Sequence, residues 1–335
     1  MSHRLIVLPD DTAQPILQAI HSARSALNIR MFLFSDETLL AAVIAARRRG
    51  VKVRVMLNPA RRNGVAENGP ARAALENAGV EVRSGHPRFE LTHQKSMVID
   101  DRMGFVESLN WDARGLAEAR DYAIVTTHAP QTREMVNCFD ADWDHQDFTP
   151  RACSPLIWCP DNGRRRLAEF IDAAKTTLLV QNERYQDMVI IERLVRAALR
   201  GVKVRILARP PHSLKPDKLI EGVGGLRILQ DVGVRVHTMK HLRLHAKMML
   251  ADGERAIVGS INLAPGSFDG RRELAIETTD ASTVQRLVAI GHRDWKCSSK
   301  IDLGDDALLR DLKKRAGLDP EKLVLGQAAD SSAKC

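Results

Sequence analysis

No stretch of this sequence approaches the roughly 18 consecutive apolar residues that cross a membrane as a helix. The opening MSHRLIVLPDD carries only a four-residue apolar run before a proline and two aspartates, too short for the core of a secretory signal. A cytoplasmic protein is expected, one able to make peripheral contact with an anionic membrane surface. Cysteine is scarce: Cys138, Cys153, Cys159, Cys297 and Cys335 are odd in number and lack CxxC spacing. That excludes a disulfide framework and a cysteine zinc site. Aromatics are few as well, eight Phe, four Trp and two Tyr, which leaves little for stacking single-stranded bases. Acidic residues are outnumbered, 42 against 50 basic, and the formal charge of +8 favours phosphate esters, nucleic acid or anionic lipid as partners. The runs Arg47-Arg48-Arg49 and Arg164-Arg165-Arg166 read first as solvated helix faces.

What is present is a duplication. GVKVRVMLNP at 50–59 returns as GVKVRILARP at 201–210, an offset of 151, and Pro9-Asp10 returns at the same offset as Pro160-Asp161. His93, Asn110, Asp121 and Asp142-Trp143 recur 152 residues later as His245, Asn262, Glu273 and Asp294-Trp295. Copies this long define the domain plan: 1–150 and 151–304 as two lobes, then a closing helix from Asp305 to Leu318 and a polar tail at 326–335. Each copy alternates strands and helices. In the first, apolar spacing predicts a helix over Pro15–Leu27, a strand over Leu27–Phe34, a helix over Glu37–Arg49 stopped by Gly50, and a strand over Val51–Leu57. A helix over Ala71–Asn77 and strands near Val80–Arg83, Thr92–Ile99, Gly104–Ser108 and Tyr122–Thr126 complete the unit. The fold class is α/β: two tandem pseudo-symmetric α/β/α lobes, each with a mixed sheet, meeting at one active site.

The chemistry lies in HQKSMVID at 93–100 and HAKMMLAD at 245–252, both His-x-Lys-x-x-x-x-Asp. Each is followed by Ser-x-Asn (Ser108 and Asn110; Ser260 and Asn262) and then by an acid opening an apolar strand, Asp121 or Glu273. On a regular strand residues i and i+2 share a face, so His93 would project with Lys95 and His245 with Lys247. Asp100 and Asp252 would fall on the opposite face, in a structural role. A lone His-x-Lys is usually a surface accident; two copies with matching polar trailers are not, because a structural duplication keeps apolar positions in preference to polar ones. A neutral imidazole can attack phosphorus while a second, protonated one donates to the leaving oxygen. Lysines and asparagine amides would stabilise the phosphoryl oxygens, and Asp121 and Glu273 would fix the histidine tautomers. Nothing in this scheme requires a metal or other cofactor. His237, His241 and His245 are spaced four apart, but the segment reads as extended and Lys247 would repel a cation. His86, His128 and His292 carry no pattern.

These residues resemble the phospholipase D superfamily, whose signature is a paired HKD motif followed by Gly/Ser-x-Asn. The resemblance covers about residues 4–296. It implies a single site between lobes and a phosphohistidine intermediate, with His93 and His245 as nucleophile and general acid, His93 the nucleophile by analogy with two-copy members. It also implies phosphate binding by Lys95, Lys247, Asn110 and Asn262 with Ser108 and Ser260 nearby, histidine orientation by Asp121 and Glu273, and support of the motif by Asp100 and Asp252. One departure is Glu107, where the second copy has the familial Gly259. Intact Asp100 and Asp252 speak against the tyrosyl-DNA phosphodiesterase branch, and the membrane-anchored cardiolipin synthases usually begin with hydrophobic spans. The leading expectation is hydrolysis, or exchange with an alcohol, of the distal phosphodiester of a phospholipid substrate. A cardiolipin synthase-like phosphatidyltransferase, a nuclease acting on nucleic acid, and a phosphate-binding module without turnover are the alternatives. One chain supplies both half-sites, so an oligomer is not required for the active site.

Overall fold

The structure, a computed structural model, describes residues 3–59, 66–211 and 219–315. The first lobe runs β1 (His3–Leu8), α1 (Gln14–Ser22), β2 (Ala26–Met31), α2 (Glu37–Arg48), β3 (Lys52–Leu57), α3 (Gly69–Asn77), β4 (Glu81–Ser84), β5 (Leu91–Thr92), β6 (Ser96–Ile99), β7 (Met103–Glu107), α4 (Ala113–Glu118), β8 (Ala119–Thr126) and α5 (Ala129–Trp143). The second repeats it with β9 (Leu156–Cys159), α6 (Gly163–Asp172), β10 (Thr177–Gln181), α7 (Met188–Leu199), β11 (Lys203–Leu207), α8 (Leu219–Asp231), β12 (Arg235–Met239), β13 (Arg243–Leu244), β14 (Met248–Ala251), β15 (Arg255–Gly259), α9 (Pro265–Asp269), β16 (Arg271–Thr278) and α10 (Ala281–Lys296). Then come β17 (Ser298–Lys300) and α11 (Asp305–Arg315); the rest of the expected closing helix and the tail at 326–335 lie outside the described residues.

Both sheets are mixed. The first orders its strands β1-β8-β7-β6-β2-β3-β4, and the second β17-β12-β11-β10-β14-β15-β16, with β9 also on β16. Strand alternation explains why helices cover both faces. Leu27, Ile29 and Met31 of β2 point to a core shared with α1 and α2, while Arg30 points the other way, toward Asp142 of α5. The second lobe has the same outer core, built on Leu167, Ile191 and Leu194, and α10 lies on its inner face. A third cluster, including Leu5, Val106, Tyr122, Trp158, Val258 and Leu274, fuses the inner faces of the two sheets. The molecule's deepest apolar layer is therefore the interface between lobes.

Several sequence expectations shift: the strand expected over Leu27–Phe34 ends at Met31, with Phe34 only in an isolated bridge to Trp111, and others change for a local reason. The helix expected to Leu27 stops at Ser22, because the Asp100 carboxylate captures the backbone N–H groups of Arg24, Ser25 and Ala26 and starts β2 there. The strand expected over Thr92–Ile99 is two strands. β5 pairs in parallel with Arg271–Arg272 of the second lobe, the chain turns through His93–Lys95, and β6 then joins its own sheet. Strand alternation therefore does not orient His93 and Lys95. Asp100 and Asp252 sit in the turns after β6 and β14 with φ of +50° and +57°, not on a strand face.

Candidate active site

The two lobes exchange strands reciprocally. As β5 joins β16, so β13 pairs in parallel with Ala119–Arg120 at the start of β8. Backbone bonds extend each exchange by one residue: His93 N–H donates to the Arg272 carbonyl at 3.0 Å and His245 N–H to that of Arg120 at 3.3 Å. Each histidine thereby lies beside the other lobe's acid. His93 Nδ1 is 2.9 and 3.0 Å from the Glu273 oxygens, and His245 Nδ1 is 2.8 and 3.1 Å from those of Asp121. In a neutral ring, a carboxylate on Nδ1 places the proton there and leaves the lone pair on Nε2. Burial is the main influence on His93 and holds its pKa down to about 3, outweighing Glu273. Glu273, although burial alone would raise it, is held below the usual carboxylate range by His93, Lys95 and Arg271.

The exchange is locked by two buried clamps that the motif reading passed over. Arg120 bridges Asp294 at 2.9 Å and also bonds Asp10, while Arg272 bridges Asp142 at 2.9 Å and Asp161 at 3.0 Å. Each arginine immediately precedes the acid that holds a histidine, and each reaches an aspartate of the opposite lobe. Their presence in RDYAIVT and RELAIET, at the same 152-residue offset as the acids, was the available signal.

Lys95 and Lys247 are buried and fold back to donate to the carbonyls of His93 and His245. Burial is the largest effect on Lys95 and lowers its pKa to about 7. Asn110 and Asn262 follow β7 and β15; their buried Oδ1 atoms, which only accept, have no hydrogen-bond partner among the described residues, and their Nδ2 groups are the donors a phosphoryl oxygen would need. Ser108 and Ser260 are committed elsewhere. Ser108 Oγ donates to Asp121 at 2.5 Å and accepts from Tyr122 N–H, and Ser260 Oγ exchanges bonds with the Leu274 backbone. Both are fully buried, so they brace the acids' strands and do not open onto the site. Asp100 and Asp252 clasp the N–H groups that begin β2 and β10.

The half-sites are not identical. Glu107 is fully buried and accepts from Trp111 Nε1 at 2.9 Å, and burial pushes its carboxyl up to about 8, so it is neutral at pH 7. At the matching position in lobe two, a Cβ on Gly259 would come within 2.3 Å of the Leu274 and Ala275 backbone, which excludes any side chain. Phe32, 151 residues before Glu183, sets its ring 4.8 Å from that of His93 and 4.9 Å from Lys95 Nζ. Glu183 instead contacts Lys247 Nζ at 2.8 Å and His245 Nε2 at 3.7 Å, with Arg209 on its other oxygen at 3.0 Å. Of the site groups the motifs missed, Glu183 was visible only as a mismatch between the repeats.

Comparison with known proteins agrees with this architecture. The family model described as "Cardiolipin synthase, PLD-like domain" matches twice, over residues 16–143 and 167–295. Cardiolipin synthase B of Salmonella typhi is 28% identical over 319 residues, 81% of this chain and 75% of that protein. Cardiolipin synthase A of Pseudomonas putida strain F1 is 25% identical over 343 residues, covering 90% and 70%. Among solved structures, phosphatidylserine synthase of Haemophilus influenzae Rd KW20 superposes with a TM-score of 0.71 at 13% identity, covering 96% of this chain and 94% of that one, a likeness of fold. Among the described residues no helix is long and apolar enough to cross a membrane. The twofold match and the duplicated fold lead to one conclusion: the chain belongs to the phospholipase D superfamily, in the family of the cardiolipin synthase PLD-like domain, and is an enzyme of the phosphodiesterase/phosphatidyltransferase type.

Proposed function

We propose that this enzyme is a cardiolipin synthase-like phosphatidyltransferase, moving the phosphatidyl group of one phospholipid to the free hydroxyl of a second lipid's headgroup. The observation that carries the chemistry is the pair of crossed imidazole–carboxylate dyads, one per lobe. The relatives' names favour transfer over the hydrolysis that the motifs alone put first. The low exposure of both rings, 8% each, suits a site that limits water while a lipid alcohol enters.

In the first half-reaction the lone pair of His93 Nε2 attacks phosphorus and a P–N bond forms. The P–O bond to the headgroup breaks, and the departing oxygen takes the Nε2 proton of cationic His245. In the second, the acceptor hydroxyl gives its proton back to His245 Nε2 and attacks phosphorus, and the P–N bond breaks. The exchanges balance, with no electron acceptor and no metal. Lys95, Lys247, Asn110 and Asn262 stabilise the non-bridging oxygens where charge develops, and Glu273 and Asp121 keep the rings in the required tautomers. The boundary at 150/151 then divides the enzyme into lobes that each hold half of each dyad.

The test is incubation of purified enzyme with headgroup-labelled phosphatidylglycerol vesicles in excess EDTA, with His93→Ala alongside. Free glycerol and cardiolipin formed in equal amounts, and absent with the variant, are expected. Phosphatidic acid as the sole lipid product would contradict transfer; product unchanged in the variant would contradict the site.

A further inference from the structure

The repeat leaves two chemically matched histidines, and something must decide which one attacks. We propose that Glu183 gives the site its handedness: it fixes His245 as the proton carrier and steers the phosphoryl group toward His93 and Lys95. This rests on the two-histidine reading above. It adds a positioning residue that acts through His245 and Lys247.

The argument is positional. Phe32 and Glu183 occupy equivalent places: Ala26, Lys52 and Phe34 recur 151 residues later as Thr177, Lys203 and Tyr185 in matching strand pairs and bridges, the bridge partners Trp111 and Leu263 being 152 apart. In lobe one an uncharged ring edge meets His93, and Lys95 has an aromatic face beside it. In lobe two a half-buried carboxylate, its side chain 12% exposed, lies 3.7 Å from Nε2 of His245 and is already bonded to Lys247.

Two consequences have the same sign. Both ring nitrogens of His245 face carboxylate oxygens, Asp121 bonded at Nδ1 and Glu183 3.7 Å from Nε2, so negative charge lies on both sides of the cationic ring. A carboxylate at Nε2 also repels an incoming phosphodiester anion, which disfavours attack from that side. Meanwhile Lys247 is already ion-paired with Glu183 at 2.8 Å, whereas Lys95 has the Phe32 ring beside its Nζ, and an arriving anion that favours the charged form of Lys95 is held in lobe one. The groups facing His245 are Asp121, Glu183 and Lys247, with Lys95 beyond and Arg209 on the far side of Glu183. Burial alone would raise the Glu183 carboxyl, but Lys247, His245 and Arg209 hold it well below the ordinary range, so its charge persists across the working pH.

The experiment separates proton donation from everything else by changing only the leaving group. Single-turnover release is measured from phosphatidylglycerol and from its analogue carrying 4-nitrophenol in place of glycerol, for wild type and Glu183→Gln. Glycerol needs a proton to leave and 4-nitrophenolate does not. The ratio of the two rates is expected to fall about 10–100-fold in Glu183→Gln, less than the full ~10²–10⁴-fold that a general acid contributes, because His245 itself remains. Release of nitrophenolate by the variant reports that it is folded. Mapping the phosphohistidine by mass spectrometry after quenching is expected to place it on His93 in the wild type. An unchanged rate ratio, or phosphate on His245 in the wild type, overturns the proposal. Labelling of His93 from bis(4-nitrophenyl) phosphate by an enzyme that leaves both lipids unreacted contradicts the lipid reading while supporting the handedness.

Discussion

At the scale of residues, the site works by withholding solvent from groups whose charge then depends on their neighbours. Lys95 shows this most directly. With burial lowering its pKa to about 7, it is cationic below that pH and neutral above it. The free enzyme is therefore expected to lose kcat/KM as pH rises through about 7. A bound phosphodiester anion favours the charged lysine, so the limb in kcat should lie higher; parallel pH profiles of the two constants check this. Glu107 is the converse case. Its carboxyl is already neutral at pH 7, so Glu107→Gln, which keeps an acceptor for the Trp111 indole N–H, should retain kcat within about threefold. Glu107→Ala leaves that buried donor unpaired and should cost about 1–3 kcal/mol in chemical denaturation. Equal loss of activity in the two variants would show that the carboxyl acts as an anion.

At the scale of elements, the regular pieces were legible and the exchanged ones were not. Helix α2 could be read because apolar residues recur at helical spacing, Asp36 caps it through Leu39 N–H, and Gly50 closes it at φ +91°. The break inside Thr92–Ile99 could not, because two residues of β5 pair with a strand some 180 positions away, and local alternation carries no trace of such a partner. The motif aspartates belong to this scale too. Asp252 gathers the N–H groups of Lys175, Thr176 and Thr177 at the start of β10, and although partial burial would raise its carboxyl, these bonds hold it down to about 2. A depressed folded pKa stabilises above the unfolded value and the benefit fades as pH falls toward 2. Asp252→Ala should therefore lower Tm at pH 7 and leave it nearly unchanged near pH 2; an equal drop at both pH values would contradict this account.

At the scale of the whole molecule, the duplication and the paired polar motifs were readable from sequence, but not the crossing that joins them. His93 and Glu273 are 180 positions apart, and only the reciprocal exchange, secured by Arg120–Asp294 and Arg272–Asp142, places each ring on the other lobe's acid. Breaking a buried pair by removing one partner costs about 3–5 kcal/mol. Arg272→Met is therefore expected to destabilise by roughly that amount, and to lower kcat more than KM in whatever remains folded because Glu273 loses its anchor; a change confined to KM would contradict the anchoring role. The central claim is that one chain holds one covalent site assembled from two half-sites. It is tested most directly by active-site titration, mixing enzyme with excess headgroup-labelled phosphatidylglycerol and counting alcohol released in the first turnover. A burst of one headgroup per chain, matched by one acid-labile phosphatidyl group on protein, is the predicted result. A burst of two, or release with no protein-bound phosphatidyl group, would contradict it.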